Sequence, residues 1–304
     1  MGSAPPKVGI ITGGASGMGY AVASALASQG DWSLHLLDMN AERGQEAAES
    51  LKGATFHRVN VTKYSELAAA FKSAFLQHRR INFVFANAGI VDSGAYYAAH
   101  GTGDDPPPEP SSAVVDIDLT SVINTSYLAQ HYFRQTPRSV GGPRSLVITA
   151  SCGGFYACPV QPVYGAAKHG VVGWARNIAG RAWRDDGVKV NAICPGTVRT
   201  NLLSDEAWKT FPEEYFTPVE KVVEVVMMLM EGSDKPMVGQ TVEISGRKHY
   251  FRRQYEFCDE AMETVMGSTD VDEYARGYGA MRLICRRRTI SFHVDLLLIP
   301  ATTT

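Results

Sequence analysis

The stretch KVGIITGGASGMG, Lys7 to Gly19, decides the fold. Its first six residues are mostly apolar, the pattern of a buried strand, and they run directly into four glycines that open a helix-period segment, Gly17 to Gln29. Glycines let the backbone turn tightly and bring its amides close to an anion. The free N–H groups and dipole of the helix start favour negative charge at the same place. A tight strand-to-helix turn also uses glycine, but strand, glycine loop and helix in this order mark a dinucleotide pyrophosphate site. The candidate residues are Thr12, Gly13, Ser16, Gly17, Met18 and Gly19.

The unit then repeats. SLHLLD precedes a helical pattern over Glu42–Leu51, TFHRVNV one over Tyr64–His78, and INFVFANAG one over Ser112–Phe133. RSLVITAS precedes Val163–Trp183, VKVNAICPG precedes Val219–Met230, and GQTVEISG closes the series. This alternation predicts an α/β protein, a Rossmann-type doubly wound seven-stranded parallel sheet with helices on both faces. The expected domain is 1–246, followed by a C-terminal extension over 247–304. Two regions break the rhythm. Residues 92–112, with GTGDDPPPEPSS, form a Pro/Gly-rich insertion unsuited to a helix. In the extension, YEFCDEAMETVM looks helical, TISFHVDLLLIP alternates like a strand, and Arg286–Arg288 read as a solvated charge run.

Bulk properties exclude several function classes. At 304 residues, 45% hydrophobic and 20% charged, the chain can bury one large core, or one domain plus an appendage. Its 29 Lys and Arg against 31 Asp and Glu leave no broad basic field for nucleic acid or an anionic membrane. Five cysteines, Cys152, Cys158, Cys194, Cys258 and Cys285, show no CxxC pairing, so reduced thiols in the cytoplasm are expected, with neither disulfides nor a metal site. No secretory leader or membrane span is expected, and Pro6 argues against lipidation at Gly2.

Asp38 ends the second strand about twenty residues beyond the glycine loop, where a carboxylate accepts hydrogen bonds from ribose hydroxyls and repels a 2′-phosphate. Neither Gly14, Ala15 and Ser16 nor Met39 and Asn40 supplies a cation for that phosphate, so NAD is expected as cofactor, with NADP disfavoured.

In QPVYGAAKHG, Tyr164 and Lys168 stand four residues apart and share one helix face. An ammonium beside a phenol stabilises the phenolate, so the spacing predicts a tyrosine pulled from about 10 toward neutral pH, a usable general base. Ser151 closes the fifth strand, where its hydroxyl can hold a substrate oxygen against Tyr164.

Together these motifs resemble the short-chain dehydrogenase/reductase family over residues 7 to about 246. TGGASGMG matches its TGxxxGxG, Asn87–Gly89 its NAG, Ser151 with YGAAK its Ser and YxxxK, and PGTVRT its PG motif. QPVYGAAKHGVVGWAR and SVINTSYL are most similar to the NAD-linked 15-hydroxyprostaglandin dehydrogenase-like branch. The resemblance implies hydride transfer between a nicotinamide and a carbinol carbon. Tyr164 would act as base or acid, Lys168 would hold the ribose and tune Tyr164, and Ser151 would orient the substrate. It further implies that Asn87, Ala88 and Gly89 line the adenosine side, that Thr197 meets the carboxamide beside Pro195, Gly196 and Val198, and that Gln161 faces substrate. Relatives commonly form homodimers or homotetramers through the helices equivalent to 112–135 and 163–183.

Two positions depart from the family. VVDIDLTSV places Asp118 where the family has an asparagine that helps hold a water against the lysine. Asn124 lies about 240° further around the helix and cannot substitute. An aspartate there can pair with Lys168, weaken its pull on Tyr164 and alter the proton relay. In VNVT, Asn60, beside Val61, replaces a common aspartate but keeps an acceptor for adenine.

The expected substrate is a hydrophobic secondary alcohol or ketone, lipid-, steroid-, terpenoid- or polyketide-like. RTNLLSDEAWKTFPEEYF suits an apolar lid, and Phe155 and Tyr156 would add aromatic wall. The competing reading is a family member diverged to non-redox catalysis or ligand binding, with Asp118 as its sign.

Overall fold

A computed structural model describes residues 5–92, 95–101, 104–232 and 236–266. Eight strands form one sheet among these residues: β1 (Lys7–Thr12), β2 (Trp32–Asp38), β3 (Ala54–Arg58), β4 (Phe83–Ala86), β5 (Ser145–Thr149), β6 (Lys189–Pro195), β7 (Thr241–Ser245) and β8 (Lys248–Phe251). Their order is β3-β2-β1-β4-β5-β6-β7-β8. The first seven run parallel, and β8 returns antiparallel to β7.

Strand side chains alternate between two cores, as a pleated sheet covered on both faces requires. Ile10, Val84, Leu146, Val190 and Ala192 face one layer, with Phe71 of α3 (Tyr64–His78), Phe133 of α5 (Ser121–Gln135) and Val171 of α6 (Pro162–Asp186). Ile11, Leu36, Phe85, Val147 and Ile193 face the other, with Leu26 of α1 (Gly17–Ser28), Ala47 of α2 (Ala41–Ser50) and Val226 of α8 (Val219–Glu231). Short helical pieces, α4 (Ala113–Val115) and α7 (Asp205–Trp208), lie in the connections after β4 and β6. Burying one large aromatic such as Phe71 or Phe85 contributes roughly 1.5–3 kcal/mol.

Two features of this topology position a site. The chain leaves β3 at one edge and re-enters as β4 beside β1, so the loops after β1 and β4 diverge and leave a crevice at the strands' carboxyl ends. The long helix α6 starts with Pro162 in its first turn and stops at Gly187, whose φ of 66° only glycine adopts freely.

Beyond β7 the sequence pattern stops, yet the chain continues the sheet. Gly246, at φ 55°, turns it back through a two-residue connection into β8. This strand escapes periodicity because its KHYF side chains stay largely exposed and carry no in–out alternation. The insertion forms only a short 3-10 turn, Ala95–Tyr97, among its described residues.

By contact density the chain divides into two units, Met1–Gln254 and Tyr255–Thr304. In the second, the described element is α9 (Glu260–Met266), within the stretch read as helical, with the Met262 amide donating to Asp259 Oδ1 at 2.7 Å. Gly2, Cys285, Arg286–Arg288 and TISFHVDLLLIP lie outside the described residues. No described helix is long and apolar enough to cross a membrane.

Candidate active site

A cleft of about 620 Å³ opens at the carboxyl ends of β1, β4, β5 and β6. A second groove, about 710 Å³, lies at the amino ends around Lys7, Arg144 and Lys189, away from the glycine loop and the tyrosine.

The glycine loop forms the cleft's floor. Gly13 turns at φ 64°, and a Cβ there would come within 3.0 Å of the Ala88 backbone. At Gly19 a Cβ would meet the Gly13 carbonyl at 2.1 Å, so the loop closes on itself only with glycine at that position. Ser16 caps α1 without a side-chain hydrogen bond, and no acidic side chain occupies the first turn. The helix therefore presents uncapped amides beside Ser16, Gly17 and Met18, all of which line the cleft, and this fits a pyrophosphate. Thr12 and Gly19 support the loop without lining the cleft. The Thr12 hydroxyl accepts from the amides of Asn87 at 2.9 Å and Ala88 at 3.1 Å, tying β1 to β4.

Asp38, at the end of β2, lines the cleft. Its Oδ2 accepts from the Ala15 amide at 3.1 Å and its Oδ1 from the Asn40 amide at 3.0 Å, which fixes the carboxylate at the cleft wall beside Met39. Arg58, in register on β3, does not line the cleft. Asn60 and Val61 do line it, but Asn60 Oδ1 already accepts from the amide and hydroxyl of Thr62, at 3.0 and 2.8 Å. Asn87, Ala88 and Gly89 also line the cleft, and Asn87 braces three strands. Its amide nitrogen donates to Thr12 O at 3.3 Å, and its Oδ1 accepts from the Thr149 hydroxyl at 3.1 Å. Pro195, Gly196, Thr197 and Val198 complete the wall after β6.

Ser151, Tyr164 and Lys168 converge opposite the loop. Ser151 Oγ accepts from the Gly153 amide at 3.1 Å, and a Cβ on Gly153 would lie 3.6 Å from both Ser151 Oγ and the Tyr164 ring. The start of α6 is capped by Asp92, whose Oδ2 accepts from the Tyr164 amide at 3.1 Å. Lys168 Nζ donates to Thr149 O at 3.2 Å and lies 5.4 Å from the centre of the Tyr164 ring.

Asp118 completes the cluster. It sits in a π turn, Asp116–Thr120, between α4 and α5; such a bulge re-aims a side chain within a helix. Its Oδ1 accepts from the Ile90 amide at 2.8 Å. Its Oδ2 lies 3.0 Å from Lys168 Nζ as a close ion pair, both side chains being at most 3% exposed.

This pair changes the expected titration. Burial opposes charge on Lys168, but Asp118 and Tyr164 outweigh it and hold the ammonium above its ordinary value. Tyr164 is also raised above the ordinary phenol value, not lowered as the Tyr–Lys spacing predicts. Burial is the largest cause. Lys168 and the Ser151 hydroxyl pull the phenol down, while Asp118 and Cys152 push it up. Helical spacing carries no information on desolvation or on a third charge brought in by another helix.

Of the residues expected to face substrate, Gln161 and Tyr156 line the cleft and Phe155 does not. Phe155 packs on the sheet's core beneath the Arg176 guanidinium, 5.9 Å from its ring centre. Across the cleft, Trp208 donates to Thr200 O at 2.8 Å and packs with Phe211 and Phe216 at 5.8 and 5.9 Å, forming an aromatic cap beside Leu202 and Leu203.

The short chain dehydrogenase family model matches residues 7–210. The chain belongs to the short-chain dehydrogenase family. It is 47% identical over 276 residues to a short-chain dehydrogenase/reductase, prx7, of Penicillium rubens, covering 84% of this chain and 97% of that one. It is 30% identical over 204 residues to human 15-hydroxyprostaglandin dehydrogenase [NAD(+)], covering 65% of this chain and 70% of that one. The fold also resembles a 3-ketoacyl-(acyl-carrier-protein) reductase from Brucella melitensis complexed with NADH. The TM-score is 0.67 at 20% identity, over 81% of this chain and 99% of that one.

Some site residues of this short-chain dehydrogenase are silent in sequence. Asp92 lies in the irregular insertion, and Thr149 contributes through its carbonyl, which any residue carries. Glu243 and Arg252 reach the cleft wall from β7 and the end of β8, beyond the family motifs. Replacing Lys168 with Met is expected to destabilise the fold by about 3–5 kcal/mol in urea unfolding at neutral pH, because Asp118 stays buried without its cation. The double change Asp118→Asn with Lys168→Met should restore at least half of that. Equal losses in the two variants would show that the ion pair is not the coupling between them.

Proposed function

We propose that the protein is an NAD-dependent oxidoreductase acting on a secondary alcohol or the corresponding ketone of a hydrophobic substrate. The reading is carried by one observation: Tyr164, Ser151 and Lys168 meet in the same cleft whose other end is the uncapped glycine loop. The loop amides and the α1 start would hold the pyrophosphate, Asp38 the adenosine ribose, and Lys168 the nicotinamide ribose. When bound, the cofactor supplies hydride acceptance from, or donation to, the carbinol carbon. Ser151 orients the substrate oxygen through its hydroxyl. Tyr164 removes the hydroxyl proton in oxidation and returns it in reduction, and Lys168 keeps a positive charge near the phenolate. The NAD of the human relative's name and the NADH bound in the Brucella reductase are consistent with this assignment.

The apolar cap of Leu202, Leu203, Trp208 and Phe211 supports a lipid-, steroid-, terpenoid- or polyketide-like skeleton, since no cluster of charges converges there for a sugar or nucleotide. A homodimer or homotetramer through α5 and α6 is supported by exposed Tyr127 and Trp183 on those helices. The four described cysteines are free, as suits a reducing cytoplasm.

With NAD and a panel of hydrophobic secondary alcohols, wild-type protein is expected to produce NADH. Tyr164→Phe should lower that rate by about 10²–10⁴-fold while NADH still binds in a fluorescence titration. Wild-type protein that binds NADH but turns over no alcohol or ketone would favour the non-redox alternative. Two unit charges about 4 Å apart repel by about 1–4 kcal/mol near a protein surface. Asp38→Ser should therefore raise the NADP/NAD ratio of kcat/KM at least about tenfold, and an unchanged ratio would remove Asp38 as the selector.

A further inference from the structure

Phe155 and Tyr156 are neighbours in sequence with opposite placements. Phe155 packs down on the core, whereas Tyr156, half exposed, turns into the cleft five residues after Ser151. The Tyr156 hydroxyl is fully engaged. It donates to Glu243 Oε2 at 3.2 Å and accepts from Arg252 Nη2 at 3.2 Å, so a molecule in the cleft meets ring carbons and not a free hydroxyl.

The two anchors are themselves fixed. Glu243 is 7% exposed on β7 between buried Val242 and Ile244, and a carboxylate there needs a partner. Arg252 Nε supplies it in a close ion pair. The Arg252 backbone is then pinned from two sides. Its amide donates to Thr241 O at 2.8 Å, and its carbonyl accepts from the Thr241 hydroxyl at 2.6 Å and from Arg176 Nη2 at 3.1 Å. Arg176 lies on α6, two turns beyond Lys168, and also donates to Arg253 O at 3.2 Å. The helix that carries Tyr164 and Lys168 thus holds the strand end that holds Tyr156.

We propose that Tyr156 is a specificity-determining residue, its ring fixed as an apolar wall of the substrate cleft by Glu243 and Arg252 of the β7–β8 hairpin. This rests on the oxidoreductase reading above and deepens it. A wall held rigid before binding selects substrates that lay a flat or ring-shaped apolar skeleton against it, because no side-chain entropy is lost on contact. Short linear skeletons cover little of the ring and gain little from it.

The test is binding, measured by calorimetry on the full chain saturated with NAD, the oxidised cofactor that leaves a ketone unreduced, with cyclic and linear hydrophobic ketones of equal carbon number. Tyr156→Ala is expected to weaken the cyclic ketones at least about tenfold and the linear ones less than about twofold. Removing Arg252 alone would strand a buried carboxylate, so the anchor is tested with the paired change Glu243→Gln and Arg252→Met. That pair should weaken cyclic ketones about threefold or more in a Tyr156 background and have no further effect in a Tyr156→Ala background, as coupled residues do. Tyr156→Phe should reproduce the paired change, since it keeps the ring and loses both hydroxyl bonds. Equal weakening of cyclic and linear ketones by Tyr156→Ala, or additive effects of the anchor and ring changes, would overturn the proposal. So would failure of every ketone to bind a protein that still binds NAD. Ketone binding that follows the predicted pattern without turnover in the wild type would leave this wall standing and defeat the oxidoreductase reading.

Discussion

The buried pair between Lys168 and Asp118 governs the rest of the site. Two helices from different parts of the chain, α6 and the π-turned segment before α5, place opposite charges 3.0 Å apart where neither meets solvent. Such a pair is weak evidence for stability, because two desolvated ions largely cancel the gain of their attraction. Its consequence is electrostatic. Lys168 stays charged, Asp118 fixes the loop after β4 through the Ile90 amide, and the field felt by Tyr164 is that of an ion pair and not of a lone cation. The phenol therefore sits above its ordinary value, pushed first by burial and further by Asp118.

Around that pair the cleft is assembled from strand ends that brace one another. Thr12 receives two amides from the β4 loop, Asn87 links β1, β4 and β5, and the Thr149 carbonyl receives Lys168. The topology makes this economical: at the β1–β4 switch the neighbouring loops diverge and leave a crevice. The hairpin β7–β8 extends the same logic to the cleft wall at Tyr156, which Arg176 and Arg252 tie to α6.

Sequence made the parallel sheet legible because buried strands and covering helices carry different periods, and the glycine loop legible because its conformation excludes most side chains. Asp118 was readable as a charge beside Lys168, and the pairing follows from its family position. The upward shift of Tyr164 was not readable, since it depends on how completely α5 and α6 exclude water. Phe155 and Tyr156 have equal aromatic character, and only the backbone turn Cys152–Gly154 decides which enters the cleft. Strand β8 has no alternating pattern to betray it, and its role rests on the residues just beyond it, through the Arg252 and Arg253 carbonyls and the Arg252 side chain.

The most direct measurement is the pH dependence of alcohol oxidation by the wild type and by Asp118→Asn. With Tyr164 as the proposed base, a raised phenol means that the wild-type rate climbs with pH into the alkaline range as Tyr164 deprotonates. Asp118 is one of the groups raising that phenol, so removing its charge should move the rising limb to lower pH. A limb that stays in place or moves to higher pH would contradict the claim that Asp118 offsets Lys168 at Tyr164.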